Sequence, residues 1–281
     1  MKDNVFDHAV AICIDANYVG PATTMLRSLA RHWSAPGRLR VRVVHDDLGP
    51  DHLAELQTAA GPRLVVESMP VTVPNFSMDP TRHVSAATYK KLFAPDVNGD
   101  VERLLILDCD LVVLDDVGPL FAIEMTTAIA AVQDAFNPDS SSTRVLPMFD
   151  KSPGAVHQDY FNSGVLLVDT RRWIDERIGE RAGDYASDPT RVRIWEQDAL
   201  NATVGESWTR LDGRWNVFPT SDLLFFQRVR STLAENGVDV EALQALEADA
   251  WIMHFVGRFK PWTRLYRSTR NRNVYRGYME A

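Results

Sequence analysis

Residues 104–116 read LLILDCDLVVLDD: four apolar residues run into Asp108-Cys109-Asp110, and the chain then turns apolar again. Burying a carboxylate is costly unless it is paired or binds a cation, so two of them in so apolar a run need a reason. In an extended chain residues i and i+2 point the same way. Asp108 and Asp110, leaving the end of a buried strand, can therefore aim two carboxylates at one point, as chelation of a hard divalent cation requires. In parallel α/β sheets the carboxyl ends of the strands are where ligands bind. Alone, the pattern also suits a solvated turn, and Asp115-Asp116 just beyond reads as one.

The surroundings place this strand in an alternating pattern. AVAICI (9–14), RVRVV (40–44), RLVVES (63–68), RLLIL (103–107) and TAIAAV (127–132) read as strands. PATTMLRSLARHW puts Met25, Leu26, Leu29, Ala30 and Trp33 at helical spacing with Pro21 near the start, and residues 51–60 suit a second helix. A proline-rich loop over 70–81 precedes a helix around SAATYKKLF. Strands alternating with helices predict an α/β domain around a largely parallel sheet. No period survives from 136 to 158, and so long a loop in a compact domain is often functional. Then follow GVLLVD, a helix over TRRWIDERIGERAGDY, another around WEQDALNATV, helices near 222–236 and 240–248, a short strand AWIMHF and an irregular end.

Composition narrows the class. With 281 residues, 45% apolar and 24% charged, the chain is ordinary for one large globular domain. A formal net charge of −8 argues against broad nucleic-acid binding. The two cysteines, Cys13 and Cys109, read as buried reduced thiols rather than a disulfide or a zinc site. No basic leader or spanning apolar run of about 20 residues is legible, which predicts a cytoplasmic protein.

Several stretches offer companions to the acidic pair. IDANYVG (14–20) places Asp15, Asn17 and Tyr18 after the first strand, where they could meet a nucleobase or ribose or simply cap the next helix. YFNSGVLLVD (160–169) puts Asn162, Ser163 and Gly164 just ahead of a buried strand, where small residues let backbone approach a ligand. WEQDALN (195–201) lays Glu196, Gln197 and Asp198 at a helix start, where acidic residues also suit the helix dipole. In HFVGRFKPW (254–262), His254 is a candidate third metal ligand, Gly257 permits close backbone approach, and Lys260 offers a point charge for phosphate.

Together with RHVSAATYKKL and RWNVFPT, these stretches resemble, in order and over nearly the whole chain, the family-8 retaining glycosyltransferases. That group contains bacterial lipooligosaccharide galactosyltransferases and glycogenin. The resemblance implies a GT-A fold, a nucleotide-sugar-binding architecture with a mostly parallel sheet flanked by helices. It implies one catalytic domain over 1–263 and a short basic tail over 264–281. It further implies a UDP-hexose donor, Mn²⁺ with Mg²⁺ as the alternative ion, and retention at the anomeric carbon. By resemblance Asp108, Asp110 and His254 are the metal ligands. Cys13, Asp15, Asn17, Tyr18, His83, Cys109, Gly257 and Lys260 fall at nucleotide positions. Lys91, Asn162, Ser163, Glu196 and Gln197 line the donor sugar, with Gln197, Glu196 and Asp198 nearest the chemistry. Glu196 stands where family members commonly have Asp, and Lys91 where the galactosyltransferases have Arg, so galactose and glucose are both open.

A glycan, lipid-linked or small-molecule acceptor is expected, from the context of bacterial cell-surface polysaccharide synthesis. From Arg258 to Met279 there are seven basic residues and no acidic one, a tail that could touch anionic membrane, stay solvated or meet acceptor phosphate. Two other classes compete. An aspartyl-nucleophile phosphatase also places Asp-x-Asp after a buried strand, and a sugar-nucleotide-binding protein without turnover would share the other motifs.

Overall fold

The computed structural model describes residues 8–72, 86–152, 154–266 and 270–279. His83 and Ser85, the first residue of the SAATYKKLF stretch, lie outside them, as does most of the expected 70–81 loop.

The strands are β1 (His8–Cys13), β2 (Leu39–His45), β3 (Leu64–Pro70), β4 (Arg103–Leu107), β5 (Leu111–Val113), β6 (Ile129–Gln133), β7 (Phe161–Asp169), β8 (Thr209–Arg210) and β9 (Ile252–His254). Seven form the central sheet in the order β3-β2-β1-β4-β7-β6-β8. It is mostly parallel, and β7 alone runs antiparallel to both of its neighbours. Strand alternation splits the core. Val10 and Ile12 pack with Leu26, Leu29 and Leu56 on one face, while Ala9 and Ala11 join Leu92, Trp173, Ile178 and Leu200 on the other. Each fully buried aliphatic side chain contributes roughly 1.5–3 kcal/mol, so both helical layers are held chiefly by burial.

Helices Val19–His32, Pro50–Ala60, Trp195–Val204 and Val240–Ala248 form where the sequence pattern places them. Other segments differ. Ala86–Leu92 takes the tighter 3-10 geometry, sending Lys90 to Asp46 at 3.0 Å and Lys91 toward Asp108. The helix expected over TRRWIDERIGERAGDY is two, Thr170–Asp175 and Ile178–Ala186, because Arg177 adopts a left-handed φ of 52°. The helix near 222–236 is likewise divided into Thr220–Leu223 and Gln227–Glu235. Strand β7 begins at Phe161, so Asn162, Ser163 and Gly164 lie inside it rather than ahead of it. The chain end is not irregular. Arg270–Met279 is a helix that buries Asn271, Tyr275 and Tyr278, with Tyr275 packing edge-on to Phe255 at 5.4 Å.

Beyond β4 the chain crosses Asp108-Cys109-Asp110 and enters β5, which leaves the main sheet to pair antiparallel with β9. The register sets Leu111 opposite His254. That pairing brings a residue over 140 positions away beside the acidic pair.

Candidate active site

The carboxyl ends of β1, β4 and β6 and the start of the reversed strand β7 share one edge of the sheet. Asp108 and Asp110 stand at its centre, half-buried and nearly buried. Asp108 Oδ1 pairs with Lys91 Nζ at 2.6 Å, and Asp110 pairs with Lys260 Nζ. His254 Nε2 lies 3.1 Å from Asp110 Oδ1 and 3.7 Å from Asp108 Oδ2. Among the described residues, Asp108, Asp110 and His254 are the one set of His, Cys, Asp or Glu side chains placed to hold a metal, with ligand atoms within 4.8 Å of one another.

Hydrogen bonding fixes the imidazole. His254 Nδ1 meets Asn216 Oδ1 at 2.9 Å, while the Asn216 amide donates to Asn162 Oδ1 at 2.8 Å. Nδ1 therefore carries a proton and donates to Asn216, which turns Nε2 toward the two carboxylates. A cation held by those carboxylates would find Nε2 as its third ligand atom. Neighbouring ligands of an octahedral ion would lie about 3 Å apart, close to the 3.1 Å between His254 Nε2 and Asp110 Oδ1 and shorter than the 3.7 Å to Asp108 Oδ2. Gly164 completes the arrangement, because a Cβ there would overlap the His254 ring. The glycine serves the imidazole, not the backbone approach to a ligand that the sequence suggests.

Burial disfavours the charged form of both carboxylates, but with opposite outcomes. At Asp110 the Lys260 and His254 contacts more than offset burial and hold the carboxyl well below its usual range. At Asp108 burial prevails over the Lys91 attraction, and Asp110 adds repulsion, so its pKa is raised. Lys91 is enclosed, and although burial opposes its charge, Asp108 and Glu196 hold its ammonium well above the ordinary value.

A second layer adjoins the acidic pair. Lys91 also donates to Glu196 Oε1 at 2.9 Å and to the Ser163 carbonyl at 3.3 Å. Gln197 Oε1 accepts from Asn162 Nδ2 and from the Ser163 amide, each at 3.0 Å. Its Nε2 donates to Asp134 Oδ2 at 3.2 Å, so the amide is held in one orientation. Lys91, Asn162, Ser163, Glu196 and Gln197 thus meet in one wall. Asp198 lies apart from it, fully buried. Its carboxylate accepts from the amides of Leu146 (3.1 Å), Arg193 (2.6 Å) and Ile194 (3.0 Å) and from the Tyr160 hydroxyl (2.7 Å).

At the end of β1, Asp15 Oδ1 accepts the Asn17 amide at 2.9 Å and caps a short turn. Tyr18 packs edge-on to Trp262 at 6.4 Å, and burial followed by the nearby Asp110 and Asp108 pushes its hydroxyl well above the ordinary value. Burial pushes the Cys13 thiol up to about 12 and the Cys109 thiol well above its ordinary value, so both are inert protonated thiols. Gly257 adopts a φ of 86°, which favours glycine, and its surroundings are open.

Two residues here escaped the sequence reading. Asp134 follows β6 as Asp108 follows β4, so the same strand-then-acid rule would have found it. Asn216 ends a single short 3-10 turn, Gly213–Asn216, with no periodic signal of its own.

Comparisons with known proteins bear on the fold and the family. General stress protein A of Bacillus subtilis is 26% identical over 269 residues, covering 93% of this chain and 88% of that protein. The lipopolysaccharide 1,2-glucosyltransferase of Escherichia coli is 27% identical over 63% of this chain and 49% of its own length. The galactosyltransferase LgtC, solved with donor and acceptor sugar analogs, superposes with a TM-score of 0.71 at 18% identity, covering 97% of this chain and 95% of that one. Glycosyltransferase GlyE of Streptococcus pneumoniae superposes at 0.70 with 21% identity, covering 97% of this chain and 60% of that one. These likenesses establish the GT-A fold. The sequence model described as Glycosyl transferase family 8 matches residues 9–265, nearly the whole chain, and the chain belongs to that family.

Proposed function

We propose that the chain transfers a hexose, galactose or glucose, from a UDP-sugar to a glycan, lipid-linked or small-molecule acceptor with retention at the anomeric carbon. The observation that carries this reading is the convergence of Asp108, Asp110 and the oriented Nε2 of His254 beside the wall of Lys91, Glu196 and Gln197. The three ligands would hold Mn²⁺ or Mg²⁺, which supplies Lewis-acid stabilisation of the departing diphosphate. Lys260 adds a positive charge at the same place. Asp15, Asn17 and Tyr18 are the proposed nucleoside contacts.

Retention follows from attack on the face that the diphosphate leaves. Gln197 is a neutral amide whose oxygen already accepts hydrogen bonds, a poor nucleophile. Glu196 is tied to Lys91 and Ser163. Both suit positioning of the donor sugar and stabilisation of an oxocarbenium-like state, with a departing phosphate oxygen taking the acceptor proton. The four donors on Asp198 favour a positioning role there too. A covalent glycosyl adduct trapped on Glu196 or Asp198 would overturn this mechanism.

The experiment is UDP release from a panel of UDP-sugars, with and without Mn²⁺ and with no acceptor. Release from one sugar that depends on Mn²⁺ and falls about 10²–10³-fold in Asp110→Ala is expected. Mn²⁺-dependent UDP binding without release from any sugar would leave a binding protein instead.

No described helix is long and apolar enough to cross a membrane. Arg264, Leu265, Arg270 and Arg276 are exposed at the chain end and support peripheral contact with anionic lipid. Reversing the charges of Arg264 and Arg276 without changing vesicle flotation would remove that contact from the reading.

A further inference from the structure

Lys260 lies on a carboxylate that the proposed ion also needs. Its Nζ donates to Asp110 Oδ2 and, at 2.8 Å, to the Phe255 carbonyl, while Lys91 holds Asp108. A divalent ion on Asp108 and Asp110 must therefore share its oxygens with two ammonium groups. Asp108, Asp110 and Glu196 against Lys91 and Lys260 leave one net negative charge in a largely buried cluster. A divalent ion alone would turn this to one net positive charge. An ion arriving with a nucleotide-sugar diphosphate, which carries roughly two negative charges, would restore the original balance.

The two lysines differ in freedom. Lys91 is enclosed and bound to Asp108, Glu196 and the Ser163 carbonyl, so leaving would strand a buried charge. Lys260 is 14% exposed and follows the open backbone at Gly257. Its own carbonyl is pinned by the Thr263 amide at 2.9 Å and hydroxyl at 2.8 Å. The backbone is thus fixed while a flexible four-carbon stem carries the charge.

We propose that Lys260 is an interlock. It holds Asp110 until a diphosphate draws its ammonium away, so that divalent ion and nucleotide bind cooperatively and neither binds tightly alone. This rests on the metal and UDP-sugar reading above and adds a binding order built into one side chain.

The test measures Mn²⁺ binding from the electron paramagnetic resonance signal of the free ion, with and without UDP, in wild type, Lys260→Met and Lys260→Arg. Thermal melts establish that each variant is folded, and Lys260→Gln is read by the same criterion if Lys260→Met is not. UDP is expected to tighten Mn²⁺ binding in wild type by about tenfold or more. Lys260→Met should bind Mn²⁺ about tenfold tighter than wild type without UDP and lose most of the nucleotide effect, whereas Lys260→Arg should behave as wild type. Mn²⁺ affinity in Lys260→Met no greater than in wild type without UDP would overturn the interlock and leave the metal site standing. Mn²⁺ binding in none of these proteins, even with UDP, would overturn the functional reading itself.

Discussion

The imidazole of His254 owes its orientation to two residues. Asn216 Oδ1 accepts the Nδ1–H hydrogen bond, and Gly164 leaves room for the ring. A partner of this kind to a metal-ligating histidine typically governs 10–100-fold in metal affinity. Asn216→Ala is therefore expected to weaken Mn²⁺ binding by about that factor while the protein stays folded, as titration calorimetry with a thermal melt would establish. Unchanged affinity would mean that His254 is oriented by something else. At this scale the sequence was legible where a local rule applied. Asp108 and Asp110 are readable because alternate residues of a strand share a direction. Asn216 was not, because its importance comes from a ring 38 positions away.

Among the elements, the turn leading into the helix Trp195–Val204 positions Glu196 and Gln197. Trp195 has a φ of 35°, and Leu146, in the aperiodic segment, has a φ of 44°. Such conformations in residues with side chains persist only when their surroundings impose them. Asp198 supplies the constraint, since its carboxylate accepts the amides of Leu146, Arg193 and Ile194 together. Asp198→Asn replaces an acceptor with a donor at one side of that clamp. Amide exchange around residues 144–146 and 193–195 is expected to accelerate, with turnover falling more than nucleotide affinity, and unaltered exchange would exclude the clamp. The segment from 136 to 158, legible only as a loop without period, is thus tied through Asp198 to the helix Trp195–Val204. One buried carboxylate holds Leu146 beside that helix, a tie that no periodicity reports. The stretch AWIMHF was legible as a strand and contains β9, but the three residues of β5 were not, and the β5–β9 pairing is long-range.

Across the whole molecule, ion pairing is not confined to the site. Away from the site, Arg42 is 2% exposed and binds Glu67, Asn98 and Asp100. Its hydrogen bonds hold the Asp100 carboxyl at about 2, against an ordinary value of 3.8. Because the folded pKa lies below the unfolded one, this stabilisation is complete above about pH 4 and lost as pH falls from about 4 to 2. Urea midpoints for Asp100→Asn should therefore fall less steeply than wild type across that window, and parallel curves would contradict the pairing. The α/β class and the mostly parallel sheet were legible from alternating strands and helices. The reversed direction of β7 was not, since a buried strand reads alike in either direction. Yet that reversal brings Asn162 and Ser163 to the edge where Asp108 stands, and the central claim depends on what gathers there. The most direct measurement is anomalous X-ray scattering at the manganese edge from crystals grown with Mn²⁺ and UDP. One peak at about 2.1 Å from carboxylate oxygens of Asp108 and Asp110 and from Nε2 of His254 is the expected result. A peak elsewhere, or none beside these residues with UDP bound, would contradict the account.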